Sequence, residues 1–416
     1  MTGQDFQQGL VAGVTYLALC EVILRLLVNH LRNDFQWLVT YSRDERPIFQ
    51  PDLTRKFFQR SFDPLLGWST KAGSSGYEKG TAGEVQYHID EDGSRRIAGN
   101  PTGEARIASF GDSYTFGRQV ADHETWQSEL TSKTNSIVLN FGVGNYGLDQ
   151  AVLKYETTTL PKSVRVVIIG VVPETICRVH SHWKHYLEFG NILAFKPRFL
   201  LRKDKLVLLQ SPIQSEADIQ NLETFLPSLQ DNDFFYRTKF RSFQYRGSYL
   251  ISFFRHSRHN FRLISSLLIY KFKELIGAET QGARRASFNI IMKQNIKASH
   301  KMYADPMNCR LLAEIIKRFR DSATARGHAP VLLIMPQRLD LERVKEGSFP
   351  YTSFFEKMAE IVDVIDLSTT IRKQDTSAMY VEDVYGGHYS VRGNQVVAET
   401  VARCVTAFHP DLHSNL

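Results

Sequence analysis

Residues 106–117 read Arg106-Ile107-Ala108-Ser109-Phe110-Gly111-Asp112-Ser113-Tyr114-Thr115-Phe116-Gly117. A short apolar run ends in glycine, and a polar triplet carrying one serine follows. Apolar runs bounded by turn residues are buried strands, so Ile107 to Phe110 is the first strand. Gly111 lets the chain turn tightly after it, and Gly117 releases the turn. The pattern then repeats: a helix over 123–134 with Asp122 suited to its N-cap, a strand from Ile137 to Phe141, a helix over 149–160, and a β-branched strand from Val164 to Val172. Further on come an amphipathic helix over 306–326 ending at Gly327, a strand from Pro330 to Ile334, a helix near 351–361, a strand from Val362 to Leu367 and a last helix over 391–408. Strands alternating with helices predict an α/β fold with a parallel sheet covered on both faces. Five strands in this order predict a three-layer α/β/α sandwich with a flavodoxin-like sheet.

In such a sheet, ligands bind beyond the carboxyl ends of the strands, where Ser113 stands. A serine that attacks an ester needs a base for its proton and donors for the oxyanion that forms. Three further blocks bear on this: Asn140-Phe141-Gly142-Val143-Gly144-Asn145-Tyr146-Gly147 after the second strand, Gly386-Gly387-His388 before the last helix, and Asp63-Pro64-Leu65-Leu66-Gly67-Trp68 ahead of the sheet. In this order the blocks resemble those of SGNH (GDSL-type) hydrolases. The Asp63–Trp68 segment is similar to one found in bacterial, membrane-anchored members. The resemblance covers about 60–175 and 306–408.

The resemblance implies a serine esterase or acetyl-group hydrolase (or acyltransferase) working through an acyl-serine and needing no cofactor. Ser113 is the implied nucleophile and His388 the general base. The family's third carboxylate stands three residues before the histidine, where this chain has Tyr385; Asp383, five before, is the expected orienter. The backbone N–H groups of Ser113 and Asn145, with Gly144 beside them, are the expected oxyanion site, although Asn145 stands where the family has glycine. Asp112, Tyr114, Glu174 and Tyr385 are expected in the substrate cleft. The family's side-chain oxyanion donor is an asparagine after the third strand, and the stretch Gly170–Thr175 holds none. That departure, with the displaced aspartate, keeps a second reading open: a catalytically degenerate relative serving as a membrane-tethered binding or scaffolding subunit.

Residues 9–28 form an apolar stretch of membrane-spanning length, interrupted by Glu21 and Arg25, which share a helix face and can pair. A transmembrane anchor, an interfacial amphipathic helix and a soluble packed helix all fit this stretch. A cleaved signal peptide fits less well, since no basic residue precedes the apolar run and no small-residue cleavage site follows. Membrane lipid is therefore an expected partner, with the side undetermined; Arg32, Arg43 and Arg46 after the stretch favour a cytoplasmic main domain.

The expected organisation is a membrane helix over 1–30, a linker and small β extension over 31–105, the hydrolase-like domain over 106–177 and 301–416, and an insertion over 178–300. Within the extension, Val85–Ile89 alternates, and Glu91-Asp92-Gly93 after it signals the turn of a hairpin. The insertion holds His180, His182 and His185, read as a polar rim to the cleft; no metal is expected, because no carboxylate or cysteine is suitably spaced. It also holds a stretch, 234–273, without any acidic residue. This stretch suits an anionic membrane surface, an acidic polymer or a protein partner; it equally suits an insertion whose aromatics pack inward while its basic residues face water. The net charge of +7 comes with no nucleic-acid-binding module, so nucleic acid is not an expected partner. Cys20, Cys177, Cys309 and Cys404 lie far apart and are read as small buried hydrophobes. An acylated small molecule or polysaccharide is the expected substrate class.

Overall fold

The computed structural model describes residues 3–409 apart from 36–37, 82, 100, 135, 279–281 and 383–386. The five expected strands form one parallel sheet: β1 (Glu104–Gly111), β2 (Ser136–Asn140), β3 (Val166–Val171), β4 (Ala329–Ile334) and β5 (Asp363–Asp366), in the order β5-β4-β3-β1-β2. Every residue of β3 is buried, as its unbroken apolar run requires of a central strand covered on both faces. Order reverses between β1 and β3, where Phe110 pairs with Ile169 and Gly111 with Gly170. That reversal opens a crevice at the carboxyl ends of the strands.

Helices cover both faces. The N-terminal helix α1 (Gly3–Asp34) precedes the sandwich, and α2 (Trp126–Lys133), α3 (Leu148–Thr157), α7 (Pro306–Ala325) and α8 (Val391–Phe408) build it. Three further helices, α4 (Tyr249–Arg255), α5 (Ser257–Leu275) and α6 (Gly282–Met302), belong to the insertion. Helix α2 packs with α8, and α3 with α7. The buried apolar residues of α7 (Leu311, Leu312, Ile315, Ile316, Phe319 and Ala323) form one stripe at helical spacing. Asp122 does not cap α2. Thr125 does, accepting from the Ser128 N–H, because the Asp122 carboxylate is taken by Arg95 and His88.

The extension contains a hairpin, with Ser75–Gly80 antiparallel to Gly83–His88. Its turn therefore precedes the alternating run, and the Asp90–Gly93 turn after it serves to bring Arg95 back against Ile89 and Asn140. The insertion is not one unit. Its first part, including Trp183, Tyr186, Phe195, Phe199 and Phe240, joins the main core. A second core joins Val28, Leu31 and Phe35 of α1 to Phe253, Leu263, Leu267 and Ile291 of α4–α6. Of the cysteines, only Cys177 is fully buried; all four are free thiols.

Candidate active site

Strand β1 delivers its last residue into a crowded corner. Gly111 has φ +151°, and a Cβ there would sit 2.1 Å from the Gly170 carbonyl oxygen. Only glycine lets the chain leave the sheet edge-on. Asp112 then caps a single helical turn, Ser113–Phe116, accepting from the Tyr114 N–H at 2.9 Å. Its other oxygen receives the Val172 N–H and an Arg178 guanidinium N–H at 3.2 Å. Arg178 also donates to Glu174 at 3.0 Å and to the Tyr146 carbonyl. Burial pushes the Asp112 carboxyl up while the Arg178 guanidinium opposes this; burial also works against the charge on Arg178, but Glu174 and Asp112 together outweigh it and hold the guanidinium above its ordinary value. Asp112 and Glu174 are thus buried beneath the cleft, on Arg178, rather than in its wall where sequence reading put them. Tyr114 does line the cleft.

Ser113 Oγ lies 2.8 Å from His388 Nε2, across 275 residues of sequence. Tyr114 helps to hold the histidine loop by donating its hydroxyl to the Gly387 carbonyl at 2.8 Å. The other ring nitrogen, Nδ1, lies 2.9 Å from Gln119 Oε1, which also accepts the His388 backbone N–H at 3.2 Å. The glutamine amide nitrogen donates to the Lys79 carbonyl. An oxygen that receives a backbone N–H must also be the acceptor for Nδ1, so the proton sits on Nδ1. The Nε2 lone pair then faces the serine, which is the tautomer a general base needs. Burial, with Arg118 and Arg178 nearby, drives the His388 imidazole well below its ordinary value.

Gln119 occupies the position expected for Asp383. Asp383 and Tyr385 lie outside the described residues. The glutamine has φ +70°, an unfavourable conformation for a side-chain-bearing residue, and is held there from three directions. Glu78 accepts its backbone N–H at 2.7 Å and pairs with Arg118; Lys79 takes its side chain. Arg95, 2% exposed, donates to the carbonyls of Phe116, Gly117 and Val120 and to Asp122. Sequence reading missed Gln119. No spacing marks it, because its contact follows from a left-handed residue two places after Gly117.

The loop after β2 faces the serine. Gly142 packs so closely that a Cβ would meet the Phe116 backbone nitrogen at 2.3 Å. Trp68 Nε1 donates to the Gly144 carbonyl at 3.0 Å, so the Asn145 N–H of the same trans peptide points the opposite way. Asn145, at φ +69°, lines the cleft. Its Oδ1 accepts from Lys184, a fully buried ammonium paired with Glu188 at 3.0 Å. Because lysine only donates, this contact fixes which end of the amide is oxygen. The amide nitrogen carries no hydrogen bond among the described residues.

The cleft holds about 310 Å³ and is bounded by Tyr114, Arg118, Asn145, Phe189, Ile291 and Met292 around Ser113 and His388. His180, His182 and His185 do not form its rim. They are buried, with burial pushing His180 and His185 down to about 4 and His182 to about 3. His180 and His185 bond to the carbonyls of Ile176 and Asp44. No group of three metal-ligating side chains occurs among the described residues.

No protein-family model matches the chain, and no curated protein sequence matches it. Among solved structures it is similar to one described as a lipolytic protein of the G-D-S-L family from Desulfitobacterium hafniense DCB-2. The identity is 12% and the TM-score 0.30, with 72% of this chain and 99% of that one covered. A likeness this distant carries no activity across.

Proposed function

We propose that the chain is a serine hydrolase or acyltransferase that cleaves an ester through an acyl-Ser113 intermediate. The observation that carries the reading is the 2.8 Å contact between Ser113 Oγ and a neutral, Nδ1-protonated His388 in an open cleft. Ser113 Oγ attacks the acyl carbonyl as its proton passes to His388 Nε2. The oxyanion is held by the N–H groups of Ser113 and Asn145. The free Asn145 amide nitrogen acts as the side-chain donor in place of the asparagine missing after β3. Collapse expels the alcohol, which takes the proton from Nε2. Water or an acceptor hydroxyl then repeats the sequence in reverse and frees the serine. The polar walls at Arg118 and Asn145 suit an acylated small molecule or polysaccharide carrying a short acyl group.

Helix α1 tethers the enzyme to a membrane through residues 9–28. Residues 5–34 are helical, their most apolar 18-residue window has mean hydropathy 2.0, and only 6% of that window is buried by the rest of the protein. The scaffold reading draws on one observation, the neutral amide in place of a carboxylate behind His388. A fluorophosphonate probe separates the two. It should label the wild type and not Ser113→Ala. A folded wild type that resists the probe refutes the enzyme reading.

A further inference from the structure

The two charges inside the apolar helix α1 are not simply an internal pair. Glu21 accepts from Arg25 Nε at 2.7 Å, and also from the Ser248 hydroxyl at 2.9 Å and the Tyr249 and Leu250 N–H groups at 2.7 and 2.9 Å. Arg25 donates to the Gly247 carbonyl at 2.6 Å and lies over the Tyr249 ring. Residues 247–250 are therefore clamped to α1 at the level of residues 21–25. Ahead of this clamp, Phe6 to Cys20 extend only about 22 Å at 1.5 Å per residue, short of a hydrocarbon layer of about 30 Å. The exposed Val22, Ile23 and Leu26 must then lie in the apolar layer too, which brings the start of α4 to its edge.

Helix α5 is apolar on two faces. Leu263, Ile264 and Leu267 face the second core. Phe261, Leu268, Phe272 and Leu275, at spacings of seven, four and three, form a second stripe that is exposed, with Phe272 61% and Leu275 83% accessible. Phe254 of α4 is 63% exposed as well. Arg258, Arg262 and Lys273 lie along the side of this outer stripe away from the second core, and all three are exposed. An outward apolar stripe bordered by basic side chains is the pattern of a helix lying in a bilayer surface, with rings among the acyl chains and cations among anionic headgroups.

We infer that α4 and α5 form a second membrane contact, an in-plane shelf that rests on an anionic lipid surface beside α1. This rests on the reading of α1 as the membrane helix. It places the layer built by α6 next to the bilayer, and Ile291 of α6 both packs in that second core and lines the catalytic cleft.

The test uses full-length protein in vesicles of phosphatidylcholine and phosphatidylglycerol carrying a nitroxide-labelled lipid. An environment-sensitive fluorescent amino acid is placed by stop-codon suppression at Phe254, Leu268 or Phe272. Leu10 in α1 and the exposed Glu360 serve as references. The expected result is blue-shifted emission and nitroxide quenching at all three shelf positions, growing with the phosphatidylglycerol fraction, while position 360 shows neither. Shelf probes that behave like position 360 overturn the inference. Position 10 judges the anchor separately: quenching there with wet shelf probes retains the tether and rejects the shelf. Shelf probes that turn apolar in native membranes yet escape lipid nitroxides would assign the surface to a protein partner and also overturn it.

Discussion

Gln119 is the residue on which the proposed chemistry can be tested most sharply, because its two functions separate by substitution. Its oxygen fixes the His388 tautomer, and its neutrality leaves the imidazolium without a counter-charge. Gln119→Glu keeps the length and the acceptor but adds a negative charge about 3 Å from Nδ1. An opposite charge that close raises a pKa by roughly 1–3 units, since it favours the protonated ring. In the wild type, burial and the two arginines hold His388 well below its ordinary value. The base form therefore persists into acid, and kcat/KM for a p-nitrophenyl ester should be flat through pH 6. In the glutamate variant the acidic limb should move upward by about 1–3 pH units, with activity falling as the pH drops through the new value. Gln119→Gly relieves the φ of +70° but removes the acceptor, and should cost roughly 10²–10⁴-fold in kcat across the whole pH range, the scale of a misoriented base. Wild-type kcat/KM in the glycine variant, or an unmoved acidic limb in the glutamate variant, would refute the assignment of Gln119 as the positioning residue.

Other substitutions probe the surrounding supports. Asn145→Gly keeps the backbone N–H and suits φ +69°, so it should fold normally and lose about 10²–10³-fold in kcat with a smaller change in KM; unchanged turnover would exclude the amide as a donor. Arg95→Met takes the buried guanidinium from the Asp122 carboxylate, which keeps only His88, and from three loop carbonyls, which should lower stability by about 3–5 kcal/mol in urea titration. It should also loosen the loop carrying Gln119, so kcat of the folded fraction falls as well. Gly111→Ala brings a methyl group to 2.1 Å from the Gly170 carbonyl at an unfavourable φ, and should yield little soluble protein by expression and circular dichroism.

The sandwich was legible because its strands are unbroken apolar runs and its helices carry clear buried stripes, as in β3 and α7. The meeting of Ser113 and His388 was also legible, through glycine-bearing blocks in a fixed order. What could not be read depended on which partner a polar group would choose. Asp122 is a good helix cap, yet a buried arginine in need of a carboxylate outbid the backbone for it. The three histidines after β3 looked like a polar rim, but the chain around Trp183 folds inward and takes them with it. The acid-free stretch reads as one basic unit, whereas its start joins the main core and its later helices join α1.

The sandwich alone does not fix the geometry of this site. The loops carrying Asn145 and Gln119 are held by side chains from outside the five-stranded unit. Trp68, from the segment ahead of the hairpin, sets the direction of the Asn145 peptide. Glu78, Lys79 and Arg95, from the hairpin and the turn after it, hold the loop that aims Gln119 at the imidazole. Lys184, from the first part of the insertion, orients the Asn145 amide. The contacts act on different groups, so their losses should show different kinetic signatures. Loosening the hairpin should impair the base and alter the pH profile. Removing the Trp68 or Lys184 contact should weaken oxyanion binding and lower kcat at every pH. The bare sandwich would bring serine and histidine together but would lack the contacts that hold Gln119 and the Asn145 amides in line with them.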